Sequence, residues 1–148
     1  MTKINNEQSH GYITDVPYVY HYFPELSPLR IKLTAAMNGV PSCSVTKSFN
    51  YLELGCGNAI SLLVNAALFP QAQFYGVDLI EEHIKFAQKI IDVIGIKNLT
   101  LINDDFTTMK LKKLPEFDFI ATHGVISWIS PEVHENLLNV VEIGRAHV

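Results

Sequence analysis

Residues 50–59 read Asn50-Tyr51-Leu52-Glu53-Leu54-Gly55-Cys56-Gly57-Asn58-Ala59. A short apolar run with one acidic residue passes into a glycine turn, and helix-forming residues follow. Gly55 lets the backbone turn sharply, and Gly57 leaves bare main chain for a ligand to approach. The N–H groups at the start of the next helix have no intrahelical partners. The stretch therefore predicts a strand, a glycine turn and a helix, a combination that suggests a nucleotide site once other residues support it.

Acidic residues follow two further predicted strands. Asp78 ends the apolar run of residues 74–78, about 20 residues on, where a ribose-binding carboxylate is expected. Asp104 and Asp105 follow a third apolar run at residues 99–102. The carboxyl ends of parallel strands meet at one edge of a sheet, so these three strand ends fit one cofactor lying across that edge.

Predicted strands and helices alternate along the chain. Strands are predicted over residues 49–54, 73–77, 99–102 and 117–121, and helices over residues 26–37, 59–68, 81–94 and 131–141. The helix at 81–94 has the clearest pattern, with an apolar set at Ile84, Ala87, Ile91 and Ile94, a Glu81–Lys85 pair and Gly95 as a stop. Such alternation predicts an α/β fold, a Rossmann-like parallel sheet with helices on both faces.

On these residues the chain resembles the class I S-adenosylmethionine-dependent methyltransferases. Their first motif is an acidic residue followed by Gly-x-Gly and often a third glycine, for which this chain has Ala59. The resemblance covers about residues 12–141 and implies S-adenosylmethionine as the cofactor. It also implies a seven-stranded sheet, of which this chain supplies about four strands, so the sheet is expected to be incomplete.

The resemblance implies a role for each matching residue. The backbone of Gly55, Cys56 and Gly57 would contact the methionine part of the cofactor. Asp78 would hold both ribose hydroxyls, with Leu79 beside it. Asp105 would accept from the adenine amino group, and the Phe106 main chain would read the ring edge. Thr122 and His123 match the motif that borders the methyl-transfer site.

Three of these residues allow two interpretations. Glu53 could orient the glycine turn or the cofactor amine, because a carboxylate at the end of a buried strand needs a partner. Cys56 could be a nucleophile, but a small filler between two glycines fits better. His123 could be the catalytic base, but a polar residue that shapes the pocket is somewhat favoured, since methyl transfer needs little covalent help from the protein.

Several segments also resemble a narrower group, the bacterial methyltransferases that carry a C-terminal methyltransferase regulatory domain. The matching segments are Gly11-Tyr12, residues 14–18, residues 25–28 and residues 123–128. Some members of that group methylate protein lysines. The resemblance therefore implies a methyl acceptor that is a protein or a small molecule, and a regulatory domain missing from this polypeptide.

Composition excludes several other classes of function. The chain has 148 residues, 48% hydrophobic, which suffices for one core, and its net charge of −4 gives no basic field for nucleic acid. Cys43 and Cys56 have neither metal nor disulfide spacing, and the histidines are scattered, so no metal site is expected. The polar N-terminus and the lack of a long apolar run predict a cytoplasmic protein without a membrane partner.

The sequence divides into three predicted parts. Residues 1–24 form a tyrosine-rich segment that is either a lid or an aromatic edge of the sheet, and residues 25–141 form the N-terminal part of the cofactor-binding domain. Residues 142–148 resemble the translation of a sequencing adapter and are expected to lie outside the fold. Two alternatives stay open: an NAD-dependent oxidoreductase, although Ile60 stands where its third glycine would be, and an inactive fragment without turnover. Because the later strands that the resemblance implies are missing, this truncated chain is itself expected to be inactive.

Overall fold

The computed structural model describes residues 19–105, 109 and 114–145. Strands and helices alternate as predicted, and two short 3-10 helices, Pro24–Leu26 and Val125–Trp128, accompany them. The strands are β1 Asn50–Leu54, β2 Gln73–Asp78, β3 Leu99–Asn103 and β4 Phe119–Thr122. The helices are α1 Pro28–Met37, α2 Ile60–Leu68, α3 Glu81–Ile94 and α4 Pro131–Arg145.

The four strands form one parallel sheet in the order β3-β2-β1-β4. At its carboxyl end β1 is flanked on both sides, with Leu54 opposite Val77 of β2 and Thr122 of β4. The chain leaves β1 toward β2 but reaches β4 after β3, so the strand order reverses between β1 and β4. This confirms the predicted Rossmann-like α/β fold with a four-stranded sheet, and it creates a crevice between β1 and β4 where such sheets bind ligands.

Apolar side chains cover both faces of the sheet. One cluster joins Tyr51, Phe74 and Phe119 to α2 and α3, and the other joins Leu52 and Leu54 to α4. Successive side chains of a strand point to opposite faces. Glu53 therefore lies on the same face as Tyr51, beneath α2, and the buried Asp78 lies on that face too.

The structure follows the predicted helix signals with some corrections. Glu81 and Lys85 form an ion pair of 2.8 Å, and Gly95 ends α3 in the left-handed region at φ 74°. Ile94, predicted to be buried, is 58% exposed, because the core-facing stripe of α3 ends with Ile91 one turn earlier. Ser27, which before Pro28 predicts a helix N-cap, precedes α1 without a side-chain cap. Helix α4 continues four residues past the predicted end at Val141, so residues 142–145, expected to lie outside the fold, are helical.

Candidate functional site

The carboxyl edge of the sheet gathers most of the residues that the sequence singled out. Gly55 follows β1, Asp78 ends β2, Asp105 follows β3, and Thr122 ends β4. Because all four strands are parallel, these positions share one edge. Phe106 lies outside the described residues, so its predicted contact with adenine stays a prediction.

The turn after β1 has the backbone that its glycines predict. Gly55 has φ 73° and Gly57 has φ 53°, both in the left-handed region that favours glycine. The N–H groups of Gly55 and Cys56 donate to the Val77 carbonyl at 2.8 and 3.0 Å, which ties the turn to β2. A Cβ on Gly55 would collide with the side chain of Val125. Gly55 is therefore required both by its φ angle and by its neighbour.

Ala59 occupies the third glycine position of the motif. Its φ of 55° lies in the left-handed region, and its methyl group is fully buried in the core. A left-handed conformation costs an L-residue about 1–2 kcal/mol, whereas a buried methyl group contributes about 0.8 kcal/mol. The two terms are of similar size, which explains how alanine can replace glycine here.

Asp78 connects the end of β2 to the glycine turn. Its Oδ2 accepts the Gly57 N–H at 2.7 Å, and its Oδ1 accepts the Ile80 N–H at 2.9 Å. Oδ1 also lies 3.2 Å from Nδ1 of His83, in the first turn of α3. The predicted ribose carboxylate therefore also positions the turn that precedes α2.

Sequence reasoning missed two side chains around Asp78. The scattered histidines predicted neither a metal site nor any other role for His83, although it stands in the first turn of the helix that follows Asp78. Asn103 ends β3, and its Nδ2 donates to the carbonyls of Asp78 and Leu79 at 2.9 and 2.8 Å. Its place between a predicted strand and Asp104 was a usable signal, because amide side chains at strand ends commonly bind neighbouring backbone.

Glu53 is a buried carboxyl group with an unpaired oxygen. The residue is 3% exposed, and Oε2 has no hydrogen-bond partner among the described residues. Burial, and then the charge of Asp78, raise the pKa of Glu53 to about 8. Buried polar atoms are normally hydrogen-bonded. The unpaired oxygen next to the glycine turn therefore favours a ligand that carries a donor or a positive charge.

The Cys56 thiol is buried under the same turn. Burial, followed by the charges of Glu53 and Asp78, raises the pKa of Cys56 well above its ordinary value. Cysteine nucleophiles act as thiolates, and a raised pKa disfavours the thiolate. A Cβ added to Gly76 of β2 would lie 3.0 Å from the Cys56 sulfur, so the thiol fills the space over β2. These surroundings favour the filler interpretation over the nucleophile.

Thr122 and His123 lie beside the N-terminal segment. Thr122 is exposed at the end of β4. The ring of His123 lies 4.2 Å from that of Phe23, centroid to centroid, and its Nε2 is 3.1 Å from Oε1 of Glu25. The described part of the predicted lid, from residue 19 on, therefore contacts the carboxyl edge.

Two further features concern residues within the described ranges. No group of three or more His, Cys, Asp and Glu side chains there is placed to hold a metal ion. The helices of residues 19–105 and 114–145 include none long and apolar enough to cross a membrane.

Comparisons with known proteins fit this geometry. A family model described as a methyltransferase domain matches residues 45–144. An uncharacterised Synechocystis protein is 38% identical over 131 residues, covering 88% of this chain and 26% of its own length. An uncharacterised protein of Rickettsia prowazekii is 32% identical over 131 residues, covering 88% of this chain and 23% of its own length.

A solved structure is similar over much of the chain as well. It is PKMT2 from Rickettsia typhi in complex with AdoHcy, with a TM-score of 0.79 and 29% identity. The match covers 86% of this chain and 24% of PKMT2. The chain thus spans about a quarter of the length of each of these three proteins.

Proposed function

We propose, from the premise that this chain belongs to the class I S-adenosylmethionine-dependent methyltransferases, that its carboxyl edge binds S-adenosylmethionine as a methyl donor. The buried Glu53 carboxyl beside the glycine turn carries this proposal, because its unpaired Oε2 offers an acceptor to a cationic ligand. The cofactor has an ammonium group and a sulfonium, and both charges complement a carboxylate. The NAD-dependent alternative receives no support, because the matching family model is a methyltransferase domain.

In this proposal the methionine part, the ribose and the adenine of the cofactor lie in turn at the ends of β1, β2 and β3. The backbone of Gly55, Cys56 and Gly57, with Glu53, would hold the methionine part. Asp78 and Leu79 would hold the ribose, and Asp105 the adenine amino group. A carboxylate offers about four lone-pair sites, and Asp78 uses three for Gly57, Ile80 and His83. About one site is left for a ribose hydroxyl, so a second hydroxyl would need to share an oxygen with one of these donors.

When bound, S-adenosylmethionine supplies an activated methyl group on its sulfonium. The protein then has to align an acceptor atom and exclude water, without an obligatory catalytic triad. Glu53 would counter the positive charge of the cofactor, and Asp78 would fix the glycine turn through the Gly57 N–H.

Calorimetric titration of the chain with S-adenosylhomocysteine tests the proposal. We expect saturable binding that releases a proton at pH 7, because the ammonium group of the ligand favours the ionised form of Glu53, whose pKa of about 8 leaves it mostly protonated. Titrations in two buffers with different ionisation enthalpies measure that proton. The Glu53→Gln variant controls for other proton sources, and equal release by this variant and the parent would contradict the role of Glu53.

Asp105 and Asp104 form a matched pair for testing the adenine contact. We expect Asp105→Asn to weaken binding of S-adenosylhomocysteine more than Asp104→Asn, because only Asp105 is proposed to accept from the adenine amino group. Each loss of a charged acceptor costs about 1.5–3 kcal/mol, or roughly tenfold to a hundredfold in dissociation constant. The opposite order would mean that the register of this site is shifted by one residue.

We propose a protein lysine as the methyl acceptor. Support comes from PKMT2, a name used for protein lysine methyltransferases, which is 29% identical over 86% of this chain. The test incubates the chain with S-adenosylmethionine and protein substrates and maps methyl groups by mass spectrometry. Methylation confined to another residue type or to small molecules would contradict the lysine proposal, and any turnover would contradict the expectation of an inactive fragment.

A further inference from the structure

Residues 20–26 form a strap that contacts α3, α2, His123 after β4 and, at its far end, Tyr51 of β1. At one end the Tyr20 ring lies 5.1 Å from that of Phe86 in α3. In the middle the Phe23 N–H donates to Oγ of Ser61, in the first turn of α2, at 3.0 Å. At the other end the Leu26 carbonyl accepts from the buried Tyr51 hydroxyl at 2.8 Å.

Phe23 connects the two sides of the crevice between β1 and β4. Ser61 follows the glycine turn after β1, and His123 follows β4. The Phe23 N–H donates to Ser61, and the Phe23 ring contacts that of His123 at 4.2 Å between ring centroids. The crevice outside the carboxyl ends, where strand order reverses, is where parallel sheets bind ligands. The strap therefore lies over the mouth of the proposed cofactor site.

The contacts of His123 differ from those of a free catalytic base. Its Nε2 lies 3.1 Å from Oε1 of Glu25, and its ring packs against that of Phe23 at an interplanar angle of 36°. The His123 and Glu25 side chains are 36% and 54% exposed, so their ion pair stabilises the strap little. The ring contact contributes more, because aromatic pairs add interaction beyond the area they bury.

We propose that His123 is a positioning residue that holds the strap over the crevice through its ring contact with Phe23 and thereby slows cofactor release. The inference rests on the proposed binding of S-adenosylmethionine at this edge. It assigns the effect of His123 to its ring and not to proton transfer. A phenylalanine at position 123 can make the same ring contact but exchanges no proton. His123→Phe should therefore preserve the effect of His123 on cofactor release.

The dissociation rate of S-adenosylhomocysteine from the 148-residue chain tests this role of His123. We expect His123→Ala and Phe23→Ala each to raise the rate about threefold to tenfold, and the double variant no further than either. His123→Phe should restore the rate to within about twofold of the parent. His134→Ala, on α4, is the control and should leave the rate unchanged. An unchanged rate in His123→Ala, or no rescue by His123→Phe, would overturn the proposal.

Hydrogen exchange of the ligand-free chain separates this proposal from the proposed function. We expect the amides of residues 20–23, 25 and 26, that of Phe23 above all, to exchange faster in His123→Ala than in the parent or in His123→Phe. If the parent binds no S-adenosylhomocysteine, the proposed function fails. Hydrogen exchange of the ligand-free chain still tests whether His123 holds the strap in place. Equal exchange in the parent and His123→Ala would overturn this role of His123 even where the cofactor binds.

Discussion

At the scale of single residues, Glu53 makes stability depend on pH in the direction opposite to most carboxylates. Its pKa rises from 4.5 in the unfolded chain to about 8 in the folded one, because burial and Asp78 disfavour its charge. The folded state then binds more protons than the unfolded state between those values. Stability from this group is therefore present at low pH and lost as pH rises toward 8.

We expect Glu53→Gln to remove this dependence in the ligand-free chain. The stability of the variant relative to the parent should increase by about 2–5 kcal/mol between roughly pH 5 and pH 9. Urea unfolding at the two pH values measures the difference. Glu116→Gln, at an exposed carboxyl, is the matched control and should show little change. A relative stability of Glu53→Gln that is independent of pH would show that Glu53 is ionised in the folded chain.

Gly55 and Gly39 allow a matched test of the glycine turn. Both have positive φ, 73° and 69°, but a Cβ on Gly39 would meet nothing within 4 Å, whereas one on Gly55 would collide with Val125. We expect Gly39→Ala to cost about 1 kcal/mol from its φ angle, and Gly55→Ala about 1–3 kcal/mol more from overpacking. Denaturant unfolding measures both, and Val125→Ala should recover part of the loss in Gly55→Ala. Equal costs would contradict the collision.

At the scale of elements, Asn98 closes the carboxyl end of α2 at the edge opposite the site. Its Nδ2 lies 3.0–3.1 Å from the carbonyl oxygens of Ala66, Phe69 and Ala72. We expect Asn98→Ala to lower the free energy of unfolding by about 1–3 kcal/mol, because the carbonyls of Ala66 and Ala72 lose the Nδ2 donor. The Phe69 carbonyl keeps the Ala72 N–H as a donor at 3.0 Å. Asn98→Asp should cost more, since it places acceptors against acceptors.

Asn38 provides the comparison in denaturant unfolding. Its Nδ2 donates to the Thr34 carbonyl at 2.8 Å, but this bond is exposed, so water can replace the donor. Asn38→Ala should therefore cost less than about 0.5 kcal/mol. If both alanine variants cost the same, the buried carbonyls near Asn98 would have other donors.

The elements differ in how far the sequence predicts them. The bounds of α3 agree with the prediction because its amphipathic pattern, its Glu81–Lys85 pair and Gly95 all act locally. The 3-10 helix Val125–Trp128 was not predicted, because Val125 is held by the glycine turn across the crevice, a contact between distant parts of the chain. At Ser27 a local signal was present but misleading, because this serine precedes α1 and suits an N-cap, yet its side chain makes no cap hydrogen bond.

At the scale of the whole molecule, strand alternation predicted which residues would share an edge but not which would touch. Asp78 and the glycine turn were expected near one cofactor, yet the direct bond from the Gly57 N–H to Asp78 needed the β1–β2 register. The contact of Phe23 with His123 joins residues 100 positions apart, and no local pattern encodes it. The order of the four strands in the sheet brings these residues, which are distant in sequence, together at one edge.

Cofactor binding should therefore stabilise the sheet as a unit, since the proposed contacts come from residues at the ends of three neighbouring strands, β1, β2 and β3. A ligand at a hundredfold its dissociation constant stabilises the folded state by about 2.7 kcal/mol. For a chain of this size we expect S-adenosylhomocysteine to raise Tm by roughly 5–10 °C, measured by scanning calorimetry. NAD shares the adenosine but lacks the ammonium group that Glu53 would bind, so it should shift Tm by less than about 1 °C at the same concentration. An equal Tm shift with NAD would favour the oxidoreductase interpretation instead. The absence of a Tm shift with either ligand would contradict a cofactor site at this edge.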